Sequence, residues 1–125
     1  MAAAPDFPAD LVADQRELHQ VQAELHALQQ RLSWSCEPSG AVKIDGWRPF
    51  ERPATDGWTA DEAAAYDELQ KRERDLATRI VCHPHWEQYE GPELVRKRSE
   101  LKHLPDTQPA VPFPGETRGD VTEAA

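Results

Sequence analysis

The sequence predicts a mainly α protein: a two-helix antiparallel, coiled-coil-like hairpin with a third short helix. A seven-residue repeat of large aliphatic residues marks the first helix, and a second amphipathic segment of matching length follows residues 34–58. Each segment would be roughly 35 Å long at about 1.5 Å per residue, so we expect the two to pair along their length.

The first helix is predicted over residues 10–33. Its apolar residues are separated by steps of three and four, at Leu18, Val21, Leu25, Leu28 and Leu32. This spacing is typical of a coiled-coil seam, and we call these five residues the heptad seam. Asp10 is a suitable N-cap, and Pro38 lies shortly beyond the end of the helix.

The second helix is predicted over residues 59–82. Thr59 and Glu62 have the spacing of a capping box, and Pro84 should end the helix because a residue before proline avoids helical geometry. Glu73 interrupts the apolar row. Since this helix has fewer large apolar residues than the first, part of the heptad seam should stay uncovered for another element, a second copy or a partner.

The connection between these helices predicts a short β-hairpin within residues 41–50, or an irregular excursion. Its arms, residues 41–44 and 47–50, flank Asp45 and Gly46, which form a strong two-residue turn signal. Pro49 restricts the second arm to a sheet edge.

The third helix is predicted over residues 92–104, between Gly91 and Pro105, with Pro92 at its first position. We therefore expect one helical-hairpin domain over residues 10–104. Residues 1–9 are predicted to be a flexible N-terminal segment and residues 105–125 a Pro-rich flexible tail.

The charge and composition exclude several classes of protein. The net charge of −9, from 14 basic and 23 acidic residues, disfavours general binding to nucleic acid or to an anionic membrane. There is no apolar run long enough to span a membrane and no secretory signal pattern, and two cysteines do not make a disulfide framework. These features predict a soluble, cytoplasmic protein with reduced thiols.

Motifs of catalysis and cofactor binding are not apparent. The sequence has no Gly-x-Gly-x-x-Gly, Walker or Gly-x-Ser-x-Gly pattern. We therefore expect no enzyme activity and no cofactor, and no small-molecule substrate is evident.

The function predicted from these features is non-catalytic protein–protein interaction, as an adaptor, regulator or assembly subunit. Self-association through the seam is its simplest form. Tryptophan and other aromatic residues outside the helix interiors either cap the ends of the bundle or anchor a partner. The predicted partner-binding residues are Leu18, Val21, Leu25, Leu28, Leu32, Trp47, Phe50, Trp86 and Tyr89.

Two alternatives remain open at this stage. A DNA-associated regulator would use the basic residues of the third helix, Arg96, Lys97, Arg98 and Lys102. Such a helix is more often a solvated face paired with acidic neighbours.

A small zinc-stabilised module would use Cys36, Cys82, His83 and His85. The plainer interpretation of those four is one buried thiol and exposed histidines. His19 and His26 are expected to form a solvated flank of the seam.

Overall fold

A computed structural model of the chain describes residues 7–110. The elements in chain order are α1 (Ala9–Arg31), β1 (Val42–Ile44), β2 (Phe50–Arg52), α2 (Ala60–Val81) and α3 (Gly91–His103), with short 3₁₀ helices at Pro84–Gln88 and Pro105–Thr107. The predicted fold class is confirmed: the protein is mainly α, and its helical hairpin has a two-stranded antiparallel sheet in the connection.

Polar contacts between α1 and α2 establish that the two helices run antiparallel. Asp14 near the start of α1 pairs with Arg79 near the end of α2. Further along α1, the amide of Gln22 donates to Glu73 Oε2 at 3.2 Å. This contact explains why an acidic residue is tolerated at Glu73 within the apolar row: its carboxylate reaches the polar flank of α1.

The hydrophobic core lies between α1, α2 and α3 and is closed at one end by the first 3₁₀ helix. Its buried members are Phe7, Leu11, Val12, Leu18, Val21, Leu76, Ile80, Trp86 and Leu101. Burial of each large aliphatic side chain contributes about 1.5–3 kcal/mol, so this cluster is the main source of stability.

The sequence predicts the N-terminal cap of α2 correctly but not that of α1. The capping box of α2 is present, because Thr59 Oγ1 accepts from the Glu62 amide at 3.1 Å and Glu62 Oε1 accepts from the Thr59 amide at 2.9 Å. The prediction of Asp10 as the N-cap of α1 is wrong. Pro8 occupies that position without a side-chain cap bond, and Asp10 lies in the first turn, where its charge favours the helix dipole.

The β-hairpin is present, but its second arm differs from the prediction. The cross-strand partners are Val42 with Arg52, Lys43 with Glu51, and Ile44 with Phe50. The second strand is therefore Phe50–Arg52 rather than residues 47–50, and residues 45–49 form a longer loop. Pro49 lacks the N–H that a paired strand needs, which places the pairing beyond it.

The ends of the described chain are packed rather than loose. Phe7 is in the core, and Thr107 is fully buried, with its hydroxyl donating to Leu104 O at 2.9 Å. The Ala110 amide donates to Gln20 Oε1 on α1 at 2.9 Å. Residues 7–9 and 105–110 thus make contacts with the bundle, and the predicted flexibility of residues 1–9 and 105–125 stays a prediction. The remainder of those two predicted segments lies outside the described residues.

Candidate partner-binding surface

The heptad seam is mostly buried within the chain itself. Leu18, Val21, Leu25 and Leu28 are all buried, and Leu32 is half-buried. Of the covers that the sequence left open for the seam, another element of the same chain is the one seen around Leu18 and Val21. There α3 and the 3₁₀ helix contribute Leu101 and Trp86 to the same cluster. Binding of a partner along the seam stays a prediction, and it would require the helices to separate.

Trp86 and Tyr89, which belong to the aromatic segment that the sequence favours most as a partner surface, lie at the end of the bundle. Trp86 is only 7% exposed, and its indole N–H donates to Ile80 O at 2.6 Å. Tyr89 is half-buried against the core, with Lys97 Nζ 5.7 Å from its ring centre. Neither side chain stands free of the bundle, because the 3₁₀ helix folds this segment back onto α1 and α2.

The hairpin carries three of the large apolar side chains that the fold leaves exposed; Val81 on α2 and Val95 on α3 are exposed as well. Trp47 is 88% exposed in the loop, and Ile44 and Phe50 are each 46% exposed. Because Ile44 and Phe50 are direct cross-strand partners, they project on the same face of the sheet. Arg52 is two residues after Phe50 and shares this face.

Trp34 lies beside these hairpin residues. The sequence does not predict that Trp34 belongs to this surface. Its indole N–H donates to Pro53 O at 2.7 Å, which holds the ring beside β2. The guanidinium carbon of Arg52 lies 5.3 Å from the Trp34 ring centre and 5.6 Å from that of Phe50. We call the set Trp34, Ile44, Trp47, Phe50 and Arg52 the aromatic hairpin surface.

Two tryptophans cap the bundle and two are exposed on the connection. Trp58 donates its indole N–H to Ser33 O at 2.9 Å and stacks at a tilt against Tyr66, with 4.9 Å between ring centres. Trp58 and Trp86 therefore close the two ends of the helical hairpin. The bond from Trp34 to Pro53 depends on how the connection folds back, so periodicity alone gave no signal for it.

The charge of the hairpin differs from that of the chain as a whole. Residues 40–53 contain three cationic and two acidic side chains, in a chain whose net charge is −9. Lys43 and Glu51 face each other across the strands on the opposite face of the sheet. Arg48 lies over Trp47, with its guanidinium carbon 4.8 Å from the ring centre. The aromatic hairpin surface is thus apolar with cationic groups stacked on its rings.

The basic residues of α3 do not form one continuous face. Arg96 pairs with Glu93 and Glu100, and its bond to Glu93 raises the pKa of the guanidinium above the ordinary value. Lys97 Nζ lies 3.4 Å from Glu100 Oε1. Arg98 and Lys102 instead line a pocket between the helices.

The four residues of the zinc alternative are not brought together. Cys36 and Cys82 are both exposed free thiols, which also corrects the expectation that one is buried. Cys36 follows the end of α1 and Cys82 follows the end of α2, at opposite ends of the hairpin. His83 Nε2–H donates to Asp10 Oδ2 at 3.0 Å. Within residues 7–110, no three His, Cys, Asp or Glu side chains are grouped so as to hold a metal ion.

Comparison with known proteins identifies a family. The profile of DUF8825, described as a domain of unknown function, matches residues 10–104. The chain belongs to this family. The matched region runs from the first turn of α1 to the residue after α3. No curated protein and no solved structure matches the chain. Over the part of the chain that is described, no helix has both the length and the apolar character to cross a membrane.

Proposed function

We propose that this protein is a non-catalytic interaction module, an adaptor, regulator or assembly subunit, that binds a partner protein through the aromatic hairpin surface. The observation that supports this proposal is the difference in exposure between the apolar residues of the heptad seam and those of the hairpin. The heptad seam is buried in the fold, whereas Trp47, Phe50 and Ile44 are exposed on the connection.

The energetics of recognition favour this surface. Tryptophan is enriched among the few residues that dominate binding energy at interfaces, and exposed apolar groups gain most when a partner removes them from water. A two-stranded hairpin is also marginally stable alone. Here it is anchored at its base, where Ser39 and Thr55 exchange backbone hydrogen bonds of 2.9 Å, and by the bond from Trp34 to Pro53 O. A partner that covers the aromatic hairpin surface would stabilise it.

The partner we propose is a different protein that offers an apolar patch bordered by carboxylates. Arg48 and Arg52 are stacked on aromatic rings, so their charges would meet acidic groups at the rim of the contact.

We propose that this interaction takes place in the cytoplasm. The two exposed free thiols, Cys36 and Cys82, support a reducing compartment.

Site-specific photo-crosslinking tests the proposal. A photoreactive phenylalanine analogue replaces Trp47 in one variant and Arg74, exposed on α2, in a control variant. After irradiation in the native host, we expect a covalent adduct of defined mass at position 47 and none at position 74.

The outcome separates the proposal from its rivals. An adduct with the mass of two copies of this chain would show that the surface binds a second copy and not a different protein. Equal labelling at both positions, or none at position 47, would contradict binding through the aromatic hairpin surface.

A further inference from the structure

A pocket of about 290 Å³ lies between α1, α2 and α3. Its apolar lining is formed by core side chains, among them Leu18, Ile80, Trp86 and Leu101, all buried. The volume is at the small end of the range for ligand sites in proteins, which are mostly apolar with a few placed polar groups.

One wall of the pocket is polar and held in place by hydrogen bonds. Gln15 is only 2% exposed, and its Nε2 donates to His19 Nε2 at 3.0 Å. His19 Nδ1–H in turn donates to Thr107 O at 2.6 Å. His19 is half-buried, and both of its ring nitrogens have a hydrogen-bond partner, which corrects the expectation of a solvated flank. Among the contacts of residues 7–110, Gln15 has no partner for its second amide hydrogen or its Oε1.

Two cations that line this pocket have no acidic partner among residues 7–110. Arg98 and Lys102 are four residues apart on α3, so they share a face, and both line the pocket. In the described part of the chain, no carboxylate lies within ion-pair distance of either one, whereas Arg96 on the same helix pairs with Glu93 and Glu100. In a chain with 23 acidic and 14 basic residues, two neighbouring cations without an ion pair to any described residue mark a place suited to an anion.

We propose that this pocket binds a small organic anion, a carboxylate with an apolar aryl or short alkyl body. The body would pack against Trp86 and Leu101, and the carboxylate would accept hydrogen bonds from Arg98 and Lys102. Gln15 would supply the remaining polar contact. This site is separate from the aromatic hairpin surface and does not depend on the function proposed for it.

The test is a titration of the full chain with 3-phenylpropionate and, separately, with the neutral 3-phenylpropionamide. Two-dimensional NMR would follow the indole N–H of Trp86 and the backbone amide of Leu101. We expect saturable shifts of both signals, with the carboxylate bound roughly tenfold more tightly than the amide, because a hydrogen bond to a charged group strengthens binding by about that factor.

Three variants make the result specific. Arg98→Gln should reduce the preference for the carboxylate severalfold, with Lys102 keeping the rest, and leave binding of the amide within about twofold. Arg96→Gln removes the same charge from the other side of α3 and should change neither affinity. Ala77→Leu narrows the pocket without a change of charge and should weaken both probes.

The position of the Trp86 indole signal reports that each variant is folded. The proposal fails if neither probe gives a saturable shift at Trp86 or if the two probes bind equally to the unaltered chain. It also fails if Arg96→Gln weakens carboxylate binding as much as Arg98→Gln, since the effect would then be general electrostatics.

Discussion

Trp86 and Trp47 carry the same side chain in opposite surroundings. Trp86 is 7% exposed and satisfies its indole N–H at Ile80 O, whereas Trp47 is 88% exposed at the tip of the hairpin. The sequence places both outside helix interiors and does not distinguish a buried cap from an exposed anchor. That distinction depends on the turn after Pro84, which folds Trp86 onto the core.

Substitution of these two tryptophans should separate stability from surface function. Trp86→Ala should lower the free energy of unfolding by about 3–5 kcal/mol, because it leaves a cavity in the core. Trp47→Ala should change it by less than about 0.5 kcal/mol. Urea unfolding followed by circular dichroism measures both. A comparable loss for Trp47→Ala would show that the hairpin tip is part of the stabilising core.

Asp10 gives the fold a weak dependence on acidic pH. The hydrogen bond from His83 lowers the pKa of the Asp10 carboxyl below its ordinary value of 3.8. Since the folded pKa is lower than the unfolded one, the stabilisation is present above about pH 3.8 and is lost as the pH falls through the folded value. An NMR titration of the Asp10 carboxyl should show a midpoint that rises towards 3.8 in His83→Ala; an unchanged midpoint would contradict this.

At the scale of elements, local signals predicted the helices well and the connection less well. Heptad spacing, the capping box and the prolines placed α1, α2 and α3 within one or two residues of their bounds. The second strand was misplaced because the pairing at Ser39 and Thr55, distant in the sequence, sets the base of the hairpin. The local sequence around the turn does not predict the pairing of Ser39 with Thr55.

The N-terminus of α2 depends on its capping box. Thr59→Ala should lower the free energy of unfolding by about 1 kcal/mol, because the Glu62 amide loses its acceptor. Thr78→Ala, at an exposed position within α2, is the matched control and should be neutral or slightly stabilising because alanine favours helix. Chemical denaturation of both variants checks this. Equal losses would mean that the cap contributes nothing specific.

Gly57 is required where the connection returns to α2. Its φ is 86°, and an added Cβ would lie 2.7 Å from Cys36 O and 2.9 Å from Glu37 C. Gly57→Ala should therefore destabilise the fold by more than about 1 kcal/mol. Gly40→Ala, where no atom lies within 4 Å of the new Cβ, is the control. Thermal unfolding compares the two, and a harmless Gly57→Ala would contradict the crowding at this turn.

At the scale of the whole molecule, the chain covers its own helical seam and leaves its connection exposed. The sequence predicted a surplus of apolar surface on α1, but heptad spacing does not reveal which segment covers it. Phe7, Trp86 and Leu101, which come from three separate segments, pack with Leu18 and Val21 of α1 in one cluster. The exposed aromatic residues are on the connection, where Trp34 is held beside the hairpin by its bond to Pro53 O, a contact that forms only on folding.

The measurement that tests this account most directly is quantitative affinity capture from the native host with three forms of the full chain. These are the unaltered protein, the double variant Trp47→Ala with Phe50→Ala, and Val95→Ala, which trims an exposed apolar residue on α3 instead. We predict that the unaltered protein and Val95→Ala enrich the same partner, and that the double variant loses it by at least about tenfold at equal stability. Undiminished capture by the double variant would contradict the account.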